Sequence, residues 1–475
     1  MKPLSKKNTP GAAVSLLPFV VLIATQIFVI RTFGADALGG PSQAALLLAA
    51  GVTIAFCILF YGMPWCRFES AILDNIRSIG GAVLILLMIG AVAGSWMVSG
   101  VVPLLMYYGL KILTPSIFLF ATCLICALVS LVTGSSWSTI ATIGVAFIGV
   151  GTALGYSAGW TAGAIISGAY FGDKISPLSD TTVLASSAND TPLFIHIRYM
   201  MITTVPSMTI TCIIFLIVSL THGTSADVQT AEFSEALRGG FNLSPWLLIV
   251  PVITGFLIAK KVPALATLFL SALAAGVAAL IAQPDIVAGI GDGSSIRGIM
   301  TVFCNSTSVD TGFADLNSLI ETGGMSGMLD TIFLVLCAAA FGGALNGSGM
   351  MAALTGALTR RISSRTSLVS ATVRTGVFSN LVTGDQYLSI ILTSSLYKDL
   401  YKEKGYEGRL LSRSAEDSAT VTSVLIPWNS CGMTQATVLK VPTLEYLPFC
   451  FFNIISPLMS IFIAATGYKI FRKAD

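Results

Sequence analysis

The residues of this chain best suited to chemistry are three charges set among apolar and small neighbours. They are Asp173, Lys174 and Asp180, in the stretch Phe171-Gly172-Asp173-Lys174-Ile175-Ser176-Pro177-Leu178-Ser179-Asp180-Thr181-Thr182. Pro177 has no N–H to donate and Gly172 favours a turn, so a helix running through this stretch should open here. An opened helix frees backbone oxygens beside a carboxylate and several hydroxyls. That is the ligand set a hard cation takes, and a carboxylate that loses its cation in a water-poor site takes a proton instead. Asp173 and Lys174 can pair with each other in an unwound stretch, which leaves Asp180 as the cation or proton carrier. A related stretch follows far downstream, Glu416-Asp417-Ser418-Ala419-Thr420 and then Pro427-Trp428-Asn429-Ser430. Asp417 is its site candidate, while Glu416 is nearer a basic cluster and can pair with Arg409 or Arg413. Two shorter spots, Gly134-Ser135-Ser136-Trp137-Ser138-Thr139 and Gly384-Asp385-Gln386-Tyr387, each combine a turn-permitting glycine with hydroxyls or a carboxylate. Their hydroxyls either face a ligand or bond between helices. Arg374 is a counter-charge to Asp385, an anion ligand, or half of a salt bridge within the bundle.

Helices in a bilayer must position these residues. Hydrophobic residues make up 54% of the chain and charged residues only 10%, with a mean hydropathy of +0.84. A soluble chain carries about a quarter charged residues, and in lipid the long apolar runs must be helical. Runs long enough to span lie near 13–30, 43–63, 80–101, 199–220, 244–259, 262–282, 329–348 and 446–468. The stretches 155–197 and 409–443 are membranous yet interrupted; 115–155 and 365–401 are apolar runs folded around a polar centre. If the interrupted stretches each cross once and the folded ones are re-entrant hairpins, the chain makes ten crossings plus two hairpins. With the N-terminus inside, about 19 of the 26 Lys and Arg residues fall on the cytoplasmic side, from Lys2, Lys6 and Lys7 to Lys469, Arg472 and Lys473. Arg31, Lys111, Arg238, Arg297 and Lys440 fall outside. That asymmetry is the one the positive-inside rule requires.

The sequence also repeats. Leu131-Val132-Thr133-Gly134 recurs as Leu381-Val382-Thr383-Gly384, each followed by a polar stretch with an aromatic at the same place, Trp137 or Tyr387. Ser99-Gly100 and Ser348-Gly349 end corresponding helices. Ser179-Asp180-Thr181-Thr182 matches Glu416-Asp417-Ser418-Ala419 more loosely, which makes Asp417 the repeat partner of Asp180. Basic clusters flank the second hairpin, so it enters from the cytoplasm; nearly charge-free sequence flanks the first, so it enters from outside. Opposed hairpins are what an inverted repeat needs, with its site near the midplane.

The remaining features read as structural. Cys123 and Cys126 form C-x-x-C inside an apolar run, where packing is expected rather than redox or metal chemistry. The start, MKPLSKKNTP and an apolar run, reads as a retained first helix. Segment 64–79 mixes charge with apolar residues at helical spacing and is expected along the cytoplasmic interface. The loops 221–242 and 283–327 are polar and expected outside, and His196 and His222 sit at predicted helix ends with interfacial roles.

The run GAYFGDKISPLSDTTVLASS, with LVTGSSWSTIATIGVA before it and EDSATVTSVLIPWNSCG in the second half, resembles the NhaC family of sodium/proton antiporters. The likeness runs from about Gly80 to the C-terminus. It implies a scaffold domain, a transport domain holding hairpins and broken helices, elevator-like movement and a homodimer. Carried over by position, it implies an ion site of Ser135, Ser136, Thr139, Asp180, Thr181, Thr182, Asp385, Asp417, Ser418 and Asn429. Some members of that family exchange organic anions such as malate for lactate, and no residue here separates the two classes.

The sequence therefore predicts an all-α polytopic membrane protein of two inverted repeats of five helices each, every repeat with a re-entrant hairpin and a broken helix. The repeats are 1–243, with the external loop 221–243, and 244–475; transport parts fall at about 103–197 and 350–443. The expected function is sodium/proton antiport by alternating access in the cell inner membrane, with both termini cytoplasmic. The alternative is sodium- or proton-coupled exchange of a small organic anion or an amino acid. No nucleophile–base pair or metal cluster is legible, so an enzyme is not expected. No resident cofactor and no nucleic-acid partner are expected either; sodium and protons are the transported species.

Overall fold

A computed structural model describes residues 10–33, 40–221, 227–260, 262–359, 362 and 364–471. His222, Lys2, Lys6, Lys7, Arg472 and Lys473 lie outside them. Among the described residues the chain is helices and connecting loops, apart from one isolated β-bridge between Thr307 and Thr322. Among the described residues, eight helices are long and apolar enough to cross a membrane, or up to ten if each of two bent pairs counts as one span.

The first half runs through α1 (Leu17–Phe33), α2 (Pro41–Tyr61), α3 (Trp65–Val98), α4 (Val101–Ile112) and α5 (Phe118–Thr133). It continues through α6 (Ser136–Ala153), α7 (Ala158–Ile175), α8 (Asp180–Ala188) and α9 (Leu193–Thr221). The second half holds α10 (Ile249–Ala259), α11 (Ala264–Ala282), α12 (Leu329–Ser348), α13 (Arg365–Thr383) and α14 (Gln386–Glu403). It ends with α15 (Gly408–Ala415), which runs on into a π-helical turn at Glu416–Thr420, then α16 (Ser430–Leu439) and α17 (Phe451–Thr466).

Segment 64–79 is not a separate interfacial piece. It is the first half of α3, a single helix of 34 residues. Gly80 and Gly81 lower helix propensity but do not end it, because both flanks pack. Asn75 donates to the Ala339 carbonyl at 3.1 Å, and Gly343 and Gly347 of α12 lie bare against Ile72 and Phe68. The stretches expected as plain loops also carry structure. Helices at Asp227–Gly240, Pro284–Ile290, Ser295–Cys304 and Ala314–Ile320 occupy them, and Phe233 packs edge-on to Phe313 with ring centroids 5.9 Å apart.

Small residues set how closely the broken helices approach their neighbours. In lipid, tight packing and polar contacts hold helices together, since the tails are as apolar as leucine. A Cβ on Gly168 would fall 2.1 Å from the Cys123 carbonyl oxygen, and one on Gly172 would fall 2.2 Å from that of Ala127. Bare backbone thus lets α7 lie directly on α5. Ser130 donates to the Ala169 carbonyl at 2.6 Å and Ser176 to the Leu131 carbonyl at 2.8 Å. Cys123 and Cys126 are buried in this contact. The second half is fastened in a comparable way: Trp428 donates to the Leu381 carbonyl at 2.8 Å, and the Ser430 N–H to the Gly384 carbonyl at 2.7 Å.

Candidate functional site

Both LVTG motifs fold alike. Each ends a helix on a glycine in the left-handed region, Gly134 at φ 67° and Gly384 at φ 64°, where a side chain would be strained. The next residue then caps a new helix: Ser135 accepts from the Ser138 N–H at 3.2 Å, and Asp385 from the Leu388 N–H at 3.0 Å. Thr133 and Thr139 bond across the first turn at 3.2 Å, Thr383 and Ser389 across the second at 2.9 Å. The turns are thus locked from inside, and Ser135, Ser136 and Asp385 are presented at the tips.

The first break is short. Helix α7 keeps its geometry through Ile175, the chain is non-helical over Ser176–Ser179, and Ser179 caps α8 at the Thr182 N–H. Thr182 donates to the carbonyls of Lys174 (3.0 Å) and Asp173 (3.4 Å), satisfying oxygens that the lost turn leaves free. Because Asp173 and Lys174 are still on an intact helix, they diverge by about 100° and cannot pair. Asp173 instead accepts from the Ser136 hydroxyl at 2.7 Å. Lys174 turns to the other side and meets Asp417.

The two tips and the first break enclose one cavity of about 560 Å³. Asp173, Asp180 and Asp385 line it with Thr133, Ser135, Ser136, Ser138, Ser179, Thr181, Gln386 and Tyr387. Its far wall is apolar except for Thr267: Ile79, Gly81 and Ile85 of α3, Ile258 of α10, Val262 and Pro263 of the connecting turn, and Ala264 and Thr267 of α11. No Lys, Arg or His stands among the described residues that line it. Three carboxylates thus share one cavity with hydroxyls and, among the described residues, no basic side chain. Ser430 adds a hydroxyl contact to Asp385 at 3.3 Å.

Of the residues expected at the site, Ser135, Ser136, Asp180, Thr181 and Asp385 line the cavity, and the others do not. Thr139 is buried behind the first tip, bonded to the Ser135 carbonyl at 2.9 Å. Thr182 closes the break as described. Ser418 donates to the Ser414 carbonyl at 2.7 Å and fills the space opposite Gly376. Asn429 caps α16 at the Cys431 N–H (3.1 Å) and donates to the Asn380 carbonyl (3.2 Å). Asp417 is fully buried between Lys174 and Arg413.

The pairing of Asp180 with Asp417 across the repeats is therefore out of register. Asp180 opens the helix after the first break, whereas Asp417 lies in the helical turn before the second. The signal that gives the right register is in the sequence: Leu131 to Leu381 and Pro177 to Pro427 are both 250 residues apart. On that spacing Asp180 corresponds to Ser430, and Ser135 to Asp385. Each half supplies one carboxylate and one hydroxyl at equivalent positions, exchanged between tip and helix start.

Other expectations are corrected by the same geometry. Glu416 is buried and makes no ion pair among the described residues; Arg409 pairs with Glu407 (2.5 Å) and Arg413 with Asp417 (3.9 Å). Arg374 is exposed on α13 and donates to the Ser370 carbonyl at 3.1 Å, so it is no counter-charge to Asp385. His196, near the start of α9, is fully buried within the protein, with Nδ1 2.8 Å from the Ser412 hydroxyl.

Comparison with known proteins agrees with this reading of a membrane carrier. Residues 2–190 and 168–468 match the Na+/H+ antiporter family. The Na(+)/H(+) antiporter NhaC of Bacillus subtilis is 36% identical over 421 residues, covering 88% of this chain and 91% of its own length. The malate-2H(+)/Na(+)-lactate antiporter of the same organism is 35% identical, with 90% of each chain covered. The arginine/ornithine antiporter ArcD of Halobacterium salinarum is 34% identical over 98% of this chain and 94% of its own. All three are named as transporters and none as an enzyme. The chain is a multi-pass membrane antiporter and belongs to the Na+/H+ antiporter family.

Proposed function

We propose that the chain exchanges sodium for protons at the cavity between the two tips, with Asp173, Asp180 and Asp385 as the carboxylates that hold either cation. One observation carries this: three carboxylates line the cavity and no described basic residue does. Carboxylate and hydroxyl oxygens suit a hard monovalent cation. A charge within the membrane is costly unless paired, and the transported cation or a proton supplies the pairing. One group then holds sodium or a proton but not both, which obligatory exchange requires.

The same reading gives the moving parts. The tips and broken helices, about 103–197 and 350–443, form the transport body; α1 to α3 and α10 to α12 form the scaffold. The cavity has one wall from each, which suits an elevator movement of one against the other. We further propose two inverted repeats, 1–243 and 244–475, both termini cytoplasmic, and a homodimer in the cell membrane. Cysteines at Glu232 and Lys404, both exposed, are expected to label from opposite sides of the membrane in a cysteine-free background. Labelling from one side removes this topology.

A second reading has some support. The helix starts at Ser136, Asp180 and Gln386 bring positive dipole ends to the cavity, where a substrate carboxylate could sit. The space also exceeds what a bare ion needs. Together with the acidic lining, that favours an amino acid carrying its own positive charge over malate or lactate, which would need a basic partner. Proteoliposomes separate the readings. An outward sodium gradient is expected to draw protons inward and acidify the lumen without any organic solute, and malate, lactate, arginine or ornithine should leave the rate unchanged. A pH change that requires one of these solutes replaces sodium/proton antiport by solute exchange.

A further inference from the structure

The polar cluster behind the broken helices has a composition different from the cavity. Lys174 of α7 reaches across to α15 and α17. Its ammonium donates to an Asp417 carboxylate oxygen and, at 2.8 Å, to the Ser456 hydroxyl. Thr203 of α9 donates to the same Asp417 oxygen at 3.1 Å, and the Phe452 ring lies 5.7 Å from the ammonium. Lys174 and Asp417 are both fully buried. Arg413 is the other charge facing Asp417. It stands 3.9 Å away, stacked on Tyr199 at 4.5 Å, and its three nitrogens make no hydrogen bond.

The geometry points to Lys174 as a tethered cation: its ammonium permanently occupies a second monovalent-cation site built from Asp417 and Ser456, with Thr203 bonded to Asp417 behind them. The Asp417 carboxylate and the Ser456 hydroxyl, from two separate elements, meet one positive point charge, and Thr203 of a third fixes the carboxylate; oxygen ligands are how a small cation is held. A buried carboxylate must be neutralised, and here the chain supplies the positive charge itself. The cavity, with acids and no described base, is left to the exchanged ion, so the two carboxylate clusters divide fixed and mobile charge between them. The inference rests on the antiport reading only for the ion in the cavity.

Sodium binding to purified full-length protein tests it, with radioactive sodium at equilibrium. Lys174→Ala removes the ammonium and leaves room in its place, so the variant is expected to bind one more sodium per chain than the wild type. The double variant K174A/D417N is expected to return to the wild-type number. An unchanged number in K174A overturns the inference, including where Arg413 swings onto Asp417. So does an added ion that survives D417N. Should K174A be too unstable for counting, its melting temperature in sodium, methylammonium and choline chloride decides. A rise with the two small cations over choline supports the site, and equal melting in all three overturns it. A wild-type chain that binds no sodium would instead sink the antiport reading, which leaves the difference between variants interpretable by itself.

Discussion

Asp180→Asn and Asp173→Asn are each expected to reduce sodium-driven proton movement to the level of empty vesicles, in protein that remains folded and inserted. Asparagine keeps an oxygen ligand and nearly the same shape, but it has neither the charge nor a site for the proton. Losing one charged ligand contact costs about 1.5–3 kcal/mol, so apparent sodium affinity should fall on the order of 10- to 100-fold. Asp180 opens α8 at the cavity and accepts no hydrogen bond as the cap there, because Ser179 does that. Asp173 accepts from the Ser136 hydroxyl and also meets the Ser179 hydroxyl, and an asparagine oxygen can accept the same bonds. The fold therefore tolerates both changes. Near wild-type flux with unchanged sodium dependence in either variant would remove that residue from the carrier set. Flux retained in both would leave Asp385 as the remaining cavity carboxylate.

Asp417→Asn should act on stability first. Removing one partner of a buried ion pair leaves the other charge buried and uncompensated, at a cost of about 3–5 kcal/mol. Here Lys174 and Arg413 both lose their counter-charge while fully buried. Asp417 also joins α15 to α7, α9 and α17 through Lys174, Thr203 and Ser456, so the loss loosens the contact between the two broken helices. The expected result is a clear drop in melting temperature and in the yield of monodisperse protein, with Lys174→Met behaving similarly. An Asp417→Asn protein that melts like the wild type yet binds no sodium would return Asp417 to the exchanged-ion site. Sequence reasoning leads to the opposite assignment for Asp173 and Asp417, because it treats neighbours in the chain as neighbours in space.

Much of the architecture was legible in composition. A chain that is 10% charged has no option but apolar helices, and interruptions by Pro177 and Pro427 mark where those helices must open. The duplicated LVTG announced two equivalent turns, and both glycines do adopt the left-handed conformation that requires glycine. Polar residues at such points are costly unless they face water or a ligand, which marked Ser135, Ser136, Asp180 and Asp385 as candidates, while Thr181 entered only through the family resemblance.

Tertiary structure decided which polar groups face the cavity and which face one another. The difference between Asp173 and Lys174 is a rotation of about 100° along an unbroken helix, and it depends on the break starting at Ser176 rather than two residues earlier. Ser130 and Ser176, by bonding across to α7 and α5, hold it there. The fate of Asp417 depended on a lysine 243 positions away, a pairing with no local signature. Charge alone marked Asp417 as costly to bury; only the packing of α7 against α15 and α17 determined that the chain's own ammonium, rather than a free ion, offsets that cost.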